Sequence, residues 1–269
     1  MNAITQKINE LQTILRAMTR VTVAVSGGVD SMTLAHVAHL TLGENALMAH
    51  AYSPAVPSAD TQRLQKYASQ RGWRLELVRT GEMESKAYRE NPVNRCYYCK
   101  SALYSTLNAL QGGQVISGTN LDDLSDYRPG LIAAREQQIR HPFVEAEIDK
   151  QTIRAIARHY QLDDIADLPA SPCLASRIAT GVYIQPQQLD LIARVESWLR
   201  ETIEAQNIRC RLFAGRLALQ IDETTLSTLS ATQQQTLIDQ AQSMAQASGL
   251  DLPVDIAPYL RGSAFIQAA

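Results

Sequence analysis

The chain is poor in the residues that mark specialised classes. Its four cysteines, Cys96, Cys99, Cys173 and Cys210, are too few and too scattered for a disulfide scaffold. A C-x-x-C pair in a reducing compartment more often binds metal or cycles redox state than ties a fold together. Excess charge is missing too: 25 Lys and Arg against 27 Asp and Glu leave a formal charge of −2. That balance excludes a grip on nucleic acid through bulk charge, which needs concentrated positive patches. No apolar run approaches the ~18–20 residues of a membrane helix, and the N-terminus alternates polar and apolar residues where a signal peptide would have an apolar core. The expectation is a cytoplasmic protein with neither nucleic acid nor membrane as partner. Internal repeats and low-complexity tracts are absent as well. What remains is ordinary, 45% hydrophobic and 19% charged, enough for one large or two modest domains with a real core.

Periodicity organises the chain. Ile4, Ile8, Leu11, Leu15 and Met18 recur at three- and four-residue steps and predict an amphipathic helix over 2–19, laid on the body of the protein. Val21–Val25 predicts a strand, and a glycine turn then leads into a helix through about Leu42. Strands over 46–52, 74–79 and 114–117 alternate with helices over 60–70 and 101–110. Helices over 131–138 and 150–160 follow, the second capped by Asp149. This alternation predicts an α/β fold with a parallel sheet, whose ligands gather at the carboxyl ends of the strands. The texture changes near residues 180–186. Beyond it a helix over 187–206, a hairpin of 208–213 with 217–221 turning at 214–216, and a helix over 232–248 make a small α+β domain. The expected division is 1–183 and 184–269.

Three segments carry chemistry. In Ser26-Gly27-Gly28-Val29-Asp30-Ser31 the glycines let the backbone turn sharply and approach phosphate oxygens, the serines add hydroxyl donors, and the next helix aims its positive end at an anion. No lysine is present, so this is not the loop that handles a transferred γ-phosphate. Asp30 beside a polyphosphate implies a bridging Mg²⁺. The second segment is Ser117-Gly118-Thr119-Asn120 with the acidic loop after it, where Asp122, Asp123, Asp126 and Arg128 can hold a metal and a nucleotide or phosphate. An acidic loop alone is usually just solvated, and the glycine turn tips the balance.

The third segment joins Arg95-Cys-Tyr-Tyr-Cys-Lys100 to Ser171-Pro-Cys-Leu-Ala-Ser-Arg177. Cys96 and Cys99 are spaced to chelate one centre, and Cys173 is expected at the same sheet edge. Three thiolates suit an iron–sulfur cluster with one uncommitted iron or a zinc site with one open position. Cys210 alternates with Arg209 and Arg211, so its thiol is expected in the core and the arginines outside, where they can take a phosphate or carboxylate.

The glycine turn resembles the PP-loop of ATP pyrophosphatases, which cleave ATP between the α and β phosphates. Together with Ser117-Gly-Thr-Asn-Leu-Asp-Asp, Asp126-Tyr-Arg-Pro-Gly130 and Ser171-Pro-Cys-Leu-Ala-Ser-Arg-Ile178, it resembles the LarE family over nearly the whole chain. The resemblance implies a Rossmann-like sheet of the adenine nucleotide α-hydrolase kind. It also implies a sulfur transferase that matures the nickel-pincer nucleotide of lactate racemase. There ATP adenylylates a carboxylate of pyridinium-3,5-biscarboxylic acid mononucleotide, and sulfur displaces AMP. The implied cofactor ligands are Ser26, Gly27, Gly28, Asp30, Ser31, Thr119, Asn120, Asp123, Asp126 and Arg128, with ATP and Mg²⁺. Arg177, Arg209 and Arg211 would take the substrate phosphate, with Cys173, Asp30 and Arg177 catalytic. Some members sacrifice the sulfur of a cysteine matching Cys173. Others resemble this chain in holding a 4Fe-4S cluster through three cysteines, here Cys96, Cys99 and Cys173, with sulfide or a donor protein resupplying sulfur. Hexamers are implied too. The rivals are a tRNA thiolase, an amide-forming ligase and a non-catalytic ATP sensor.

Overall fold

The computed structural model describes residues 2–124 and 128–264. Along the chain run α1 (Ala3–Met18), β1 (Val21–Ala24), α2 (Val29–Leu42), β2 (Ala46–Ala51), α3 (Ser58–Arg71), β3 (Arg74–Val78), α4 (Lys86–Arg89), α5 (Arg95–Asn108), β4 (Gln114–Ser117) and α6 (Pro129–Glu136). Then follow α7 (Pro142–Glu145), α8 (Lys150–His159), α9 (Asp163–Ala166), α10 (Pro186–Thr202), β5 (Ile208–Phe213), β6 (Arg216–Ile221), α11 (Glu223–Thr228), α12 (Ala231–Ala247) and β7 (Val254–Pro258). The fold is α/β, as expected. It divides into two compact units, Met1–Glu82 with Asn94–Ser171, and Met83–Val93 with Pro172–Ala269.

The first unit is built on a parallel sheet ordered β3-β2-β1-β4. The central strands β1 and β2 are covered on both faces, and their near-continuous apolar sequence is what such strands require. Edge strand β3 leaves Glu76 and Leu77 exposed. Helix α1 lays Ile8, Leu11 and Leu15 into the core with Val23, Met32 and Leu34, so its apolar stripe does what its spacing predicts. Asp149 caps α8, its Oδ1 accepting from the N–H of Thr152 at 2.7 Å. Helix α5 begins six residues earlier than expected, at Arg95 and not Ser101. Cys-Tyr-Tyr-Cys has weak helix propensity, but packing of α5 against α6 with Tyr104 and Leu107 buried overrides it.

The second unit holds a three-stranded sheet ordered β5-β6-β7. The expected hairpin is present, with Ile208 facing Ile221 and Phe213 facing Arg216. The third strand, β7, runs parallel to β6 and carries Asp255 and Pro258, residues that hide a strand from sequence reading. Residues 83–93 join this unit through Asn91. Its buried amide donates to the carbonyls of Ile178, Ala179 and Val182 at 3.3, 2.7 and 3.1 Å.

Candidate functional site

β1 and β4 lie side by side, with Ala24 opposite Ser117. The chain leaves β1 for β2 on one side and returns as β4 on the other, so the strand order reverses between them. Parallel sheets open a crevice at such a point. The glycine turn leaves β1 there. Gly27 has φ +86°, and a Cβ on it would stand 2.9 Å from both Cβ and the carbonyl oxygen of Asp60. A Cβ on Gly118, leaving β4, would stand 2.9 Å from the backbone nitrogen of Ser31. Gly118 thus lets the β4 exit crowd the start of α2, and Gly27 lets the β1 exit press against the first turn of α3. Gly28, at the N-cap of α2, has no side chain to occupy the helix's first N–H groups.

The turn is braced from within and from behind. The N–H of Ser26 donates to Oγ of Ser31 at 3.0 Å, and that hydroxyl donates to the carbonyl of Gly28 at 3.2 Å. Behind it, Arg63 donates to the Gly27 carbonyl at 3.1 Å and pairs with buried Asp60 at 2.7 Å. Asp60 also accepts from the Ser171 hydroxyl at 3.0 Å. His50 donates from Nδ1 to the Val25 carbonyl at 2.8 Å, which makes its Nε2 the acceptor for Thr61. Burial holds the His50 pKa below the ordinary value.

A 290 Å³ pocket opens between the two strand exits, lined by Ser26, Asp30, Ser31, Lys100, Thr119, Asp123 and Arg128 among others. Asp30 sits in the first turn of α2, paired with Lys150 from the start of α8. Burial raises the Asp30 pKa, and the Lys150 ammonium opposes that rise. Asn120 is at 3.5 Å from Asp30. The acidic loop bonds to its surroundings: Asp123 accepts from the N–H of Asn120 at 3.1 Å and pairs with Arg128 at 2.8 Å, and Asp122 accepts from the N–H of Lys150 at 2.7 Å. Asp126 lies outside the described residues. Cys96, exposed, stands in the first turn of α5, and Cys99, half-buried, opens the second. Among the described residues, no three His, Cys, Asp or Glu side chains gather as a metal site.

Cys173 belongs to the second unit. It is exposed, and its carbonyl accepts from the Ser176 N–H at 3.0 Å, the Ser176 hydroxyl at 2.7 Å and Arg177 at 3.2 Å. Arg177 is buried and paired with Glu196. Burial alone would raise the Glu196 pKa, but Arg177 and Arg200 outweigh it and hold that carboxyl below the usual range. Cys210 faces the core as expected, fully buried with its thiol pKa pushed up. The arginines beside it do not both face outward. Arg211 is 5% exposed and donates to Gln220 at 2.6 Å and to the Ser176 carbonyl at 3.1 Å, because β5 is covered on both faces. Arg209 is half-buried over the ring of Tyr259. Burial lowers both guanidinium pKa values.

No family model matches the chain. It is 41% identical over 198 residues to the uncharacterized protein slr1717 of Synechocystis sp., an alignment covering 72% of this chain and 74% of that one. The chain belongs to the slr1717 family. A more distant relative is the uncharacterized protein MJ0830 of Methanocaldococcus jannaschii, 26% identical over 76% of this chain and 78% of its own. Another is the pyridinium-3,5-bisthiocarboxylic acid mononucleotide synthase of Lactiplantibacillus plantarum, 28% identical over 69% of each chain. That alignment relates the slr1717-family chain to the LarE family its motifs resemble. Sequence reading of this family member misses Lys150, Lys100, Asp60, Arg63 and His141. The one local signal for any of them is Asp149, whose cap puts Lys150 first in its helix.

Proposed function

We propose that this protein is an ATP-dependent sulfur transferase of the LarE type. It would adenylylate a carboxylate of pyridinium-3,5-biscarboxylic acid mononucleotide and exchange the activated oxygen for sulfur, toward a nickel-pincer nucleotide. The named synthase among its relatives supports this. The observation that carries it is the braced glycine turn at the β1–β4 reversal, with Asp30 inside the first turn of α2.

The residues present fit a nucleotide. Gly118 lines the crevice without a Cβ, Gly27 lets the turn fold back against Asp60, and phosphate oxygens would accept from the first N–H groups of α2 and from the hydroxyls of Ser26 and Thr119. Asp30 and Asp123 fit Mg²⁺, which takes one or two carboxylates and completes its shell with water and phosphate. The substrate carboxylate would attack the α-phosphorus and pyrophosphate would leave. A sulfur nucleophile would then attack the acyl carbon, and AMP would leave with the electron pair. Arg209 is the guanidinium best suited to the substrate phosphate: it is half-buried and donates to the Ile208 carbonyl, whereas Arg177 and Arg211 are buried and each bond to several protein acceptors.

Two sulfur routes each have support. Cys96 and Cys99, three residues apart, share a side of α5, and with Cys173 they supply the three thiolates of the cluster route. A 4Fe-4S cluster, when bound, supplies an open iron able to hold an extra sulfide. The exposure of Cys173 on an anchored turn supports the sacrificial route. We favour the cluster, which lets the enzyme turn over.

Anaerobic protein incubated with ATP, Mg²⁺, sulfide and the dicarboxylate nucleotide tests the reading. AMP, pyrophosphate and a sulfur-bearing product are expected, and ATP binding with no pyrophosphate from this substrate would overturn it. Iron, acid-labile sulfide and a broad absorption near ~400 nm would mark the cluster route. Colourless, metal-free protein after anaerobic reconstitution, with Cys173 losing the elements of H₂S, would mark sacrifice.

A further inference from the structure

Behind the pocket wall runs a row of three polar groups, of which the reaction above uses only the last, the Thr119 hydroxyl. Nδ1 of His141 lies 2.9 Å from Oγ of Ser117, and that oxygen lies 3.0 Å from Oγ1 of Thr119. Ser117 is buried, and both hydroxyls line the pocket. Each hydroxyl owns one proton and two lone pairs, so in a row of this kind the first bond dictates the second. When Nδ1 lacks a proton, Ser117 donates to the ring and accepts from Thr119, whose proton then turns inward and whose lone pairs face the pocket. When Nδ1 carries a proton the order reverses. The ring donates to Ser117, Ser117 donates to Thr119, and Thr119 points its proton into the pocket.

The two states differ for the ligand. Thr119 follows Gly118, which is packed against the backbone of Asp30 and Ser31 at the start of α2. That is where the nucleotide reading puts phosphate, and phosphate oxygens accept far better than they donate. Thr119 as donor matches them, and Thr119 as acceptor repels them. We propose that His141 is a positioning residue that sets whether Thr119 presents a proton or a lone pair to the phosphate of the bound nucleotide, so that nucleotide binding and protonation of His141 are coupled. This rests on the nucleotide reading of the pocket.

The groups facing the ring act in both directions. Burial disfavours the charged ring, and Lys100 on α5 adds to that. Glu145 on α7 and Asp123 in the loop after β4 favour the charge, and the net effect holds the His141 pKa below the ordinary histidine value. In the neutral ring with its proton on Nε2, Nδ1 accepts from Ser117 and Thr119 takes its acceptor form, and phosphate binding then favours a proton on Nδ1. Linkage makes the effect reciprocal: a nucleotide that prefers the protonated ring about tenfold, a typical worth for a hydrogen bond to a charged acceptor, raises the His141 pKa by about one unit.

The probe is α,β-methylene-ATP, which cannot release pyrophosphate. Imidazole ¹⁵N spectra of the full chain, recorded from about pH 8 to about pH 5 with and without saturating probe, report tautomer and titration together. An Nδ1 acceptor without probe, and an upward shift of about one unit with it, are expected. Probe affinity is compared over the same range for wild type, His141→Gln and Ser117→Ala. The probe's own titration is common to all three, so the ratio of variant to wild-type Kd isolates the relay. That ratio is expected to grow about tenfold toward low pH for both variants. An unmoved His141 titration, or a flat ratio with binding intact, overturns this inference alone. Failure of wild type to bind the probe at any pH overturns the nucleotide reading and this inference with it.

Discussion

Arg177 and Glu196 form a two-bond ion pair inside the second unit, Nε to Oε1 at 2.9 Å and Nη2 to Oε2 at 3.2 Å, with side chains 4% and 2% exposed. The remaining Arg177 nitrogen, Nη1, donates to the carbonyls of Pro172 and Cys173 at 2.6 and 3.2 Å. Arg177 thereby sets the course of the backbone that presents the Cys173 thiol. Glu196 is satisfied in turn by Arg200 at 2.7 Å and the N–H of Cys210 at 3.1 Å.

Removing one charge from this pair leaves the other buried. Glu196→Gln is expected to lower stability by about 3 kcal/mol at neutral pH, measured by urea denaturation. The sign with pH follows from the lowered Glu196 pKa. Its contribution is present above the unfolded carboxyl pKa and is lost as pH falls through the folded one, so the Gln variant should lose less stability on acidification. Equal acid sensitivity in both proteins would count against the ion pair.

Gly27 is held both by its φ of +86° and by Asp60 at 2.9 Å from where a Cβ would stand. Gly43 has φ +55° with nothing within 4 Å of that position. Gly27→Ala and Gly43→Ala should each lose about 1 kcal/mol to backbone strain. The Gly27 variant alone should also lose ATP affinity, by roughly tenfold or more, because the braced turn must shift. Calorimetric titration with ATP checks this, and equal affinities in the two variants would show that the close approach is irrelevant.

Lys150 opposes the rise that burial imposes on Asp30. Lys150→Met should therefore move the Asp30 titration further upward in carboxyl ¹³C spectra. An Mg²⁺-dependent activity that survives Lys150→Met but not Asp30→Asn would assign the carboxylate to the cation. Loss of both to the same degree would assign it to the pair.

His36 is buried on α2 against the rings of Trp73 and Tyr160, and burial pushes its pKa down to about 4. The unfolded chain takes up this proton at a higher pH than the folded one. Stability from the neutral ring is thus fully present above the unfolded value and drains away as pH falls toward about 4, by on the order of 3 kcal/mol. Urea denaturation between about pH 7.5 and about pH 4.5 should show this slope. His36→Leu should flatten it, and an unchanged slope would place the titration elsewhere.

Much of the architecture was legible. The stripe of α1, the β1–turn–α2 passage, the Asp149 cap and the β5–β6 hairpin each announce themselves within a few residues, through a period of 3.6 or 2 or through residues suited to one backbone conformation. The glycine turn was legible for the same reason, since Gly27 stands where a side chain cannot. The early start of α5 was not, because packing against α6 outweighs the weak propensity around Cys96. β7 was not, because a strand completed by a neighbour's ladder does not need a strong pattern of its own.

The site divides along the same line. The sequence by itself determined which chemical groups are available: a phosphate-sized turn, an aspartate beside it, three dispersed thiols and a set of arginines. Only the tertiary structure decided which of them are already engaged. Lys150 meets Asp30 across 120 residues, His141 meets Ser117 across 24, and Arg211 is buried between β5 and the segments that cover it. Hydrogen bonds and ion pairs act over a few ångströms of space regardless of distance along the chain, so no local pattern encodes them. Folding alone sets which donors are used up and which still face the pocket.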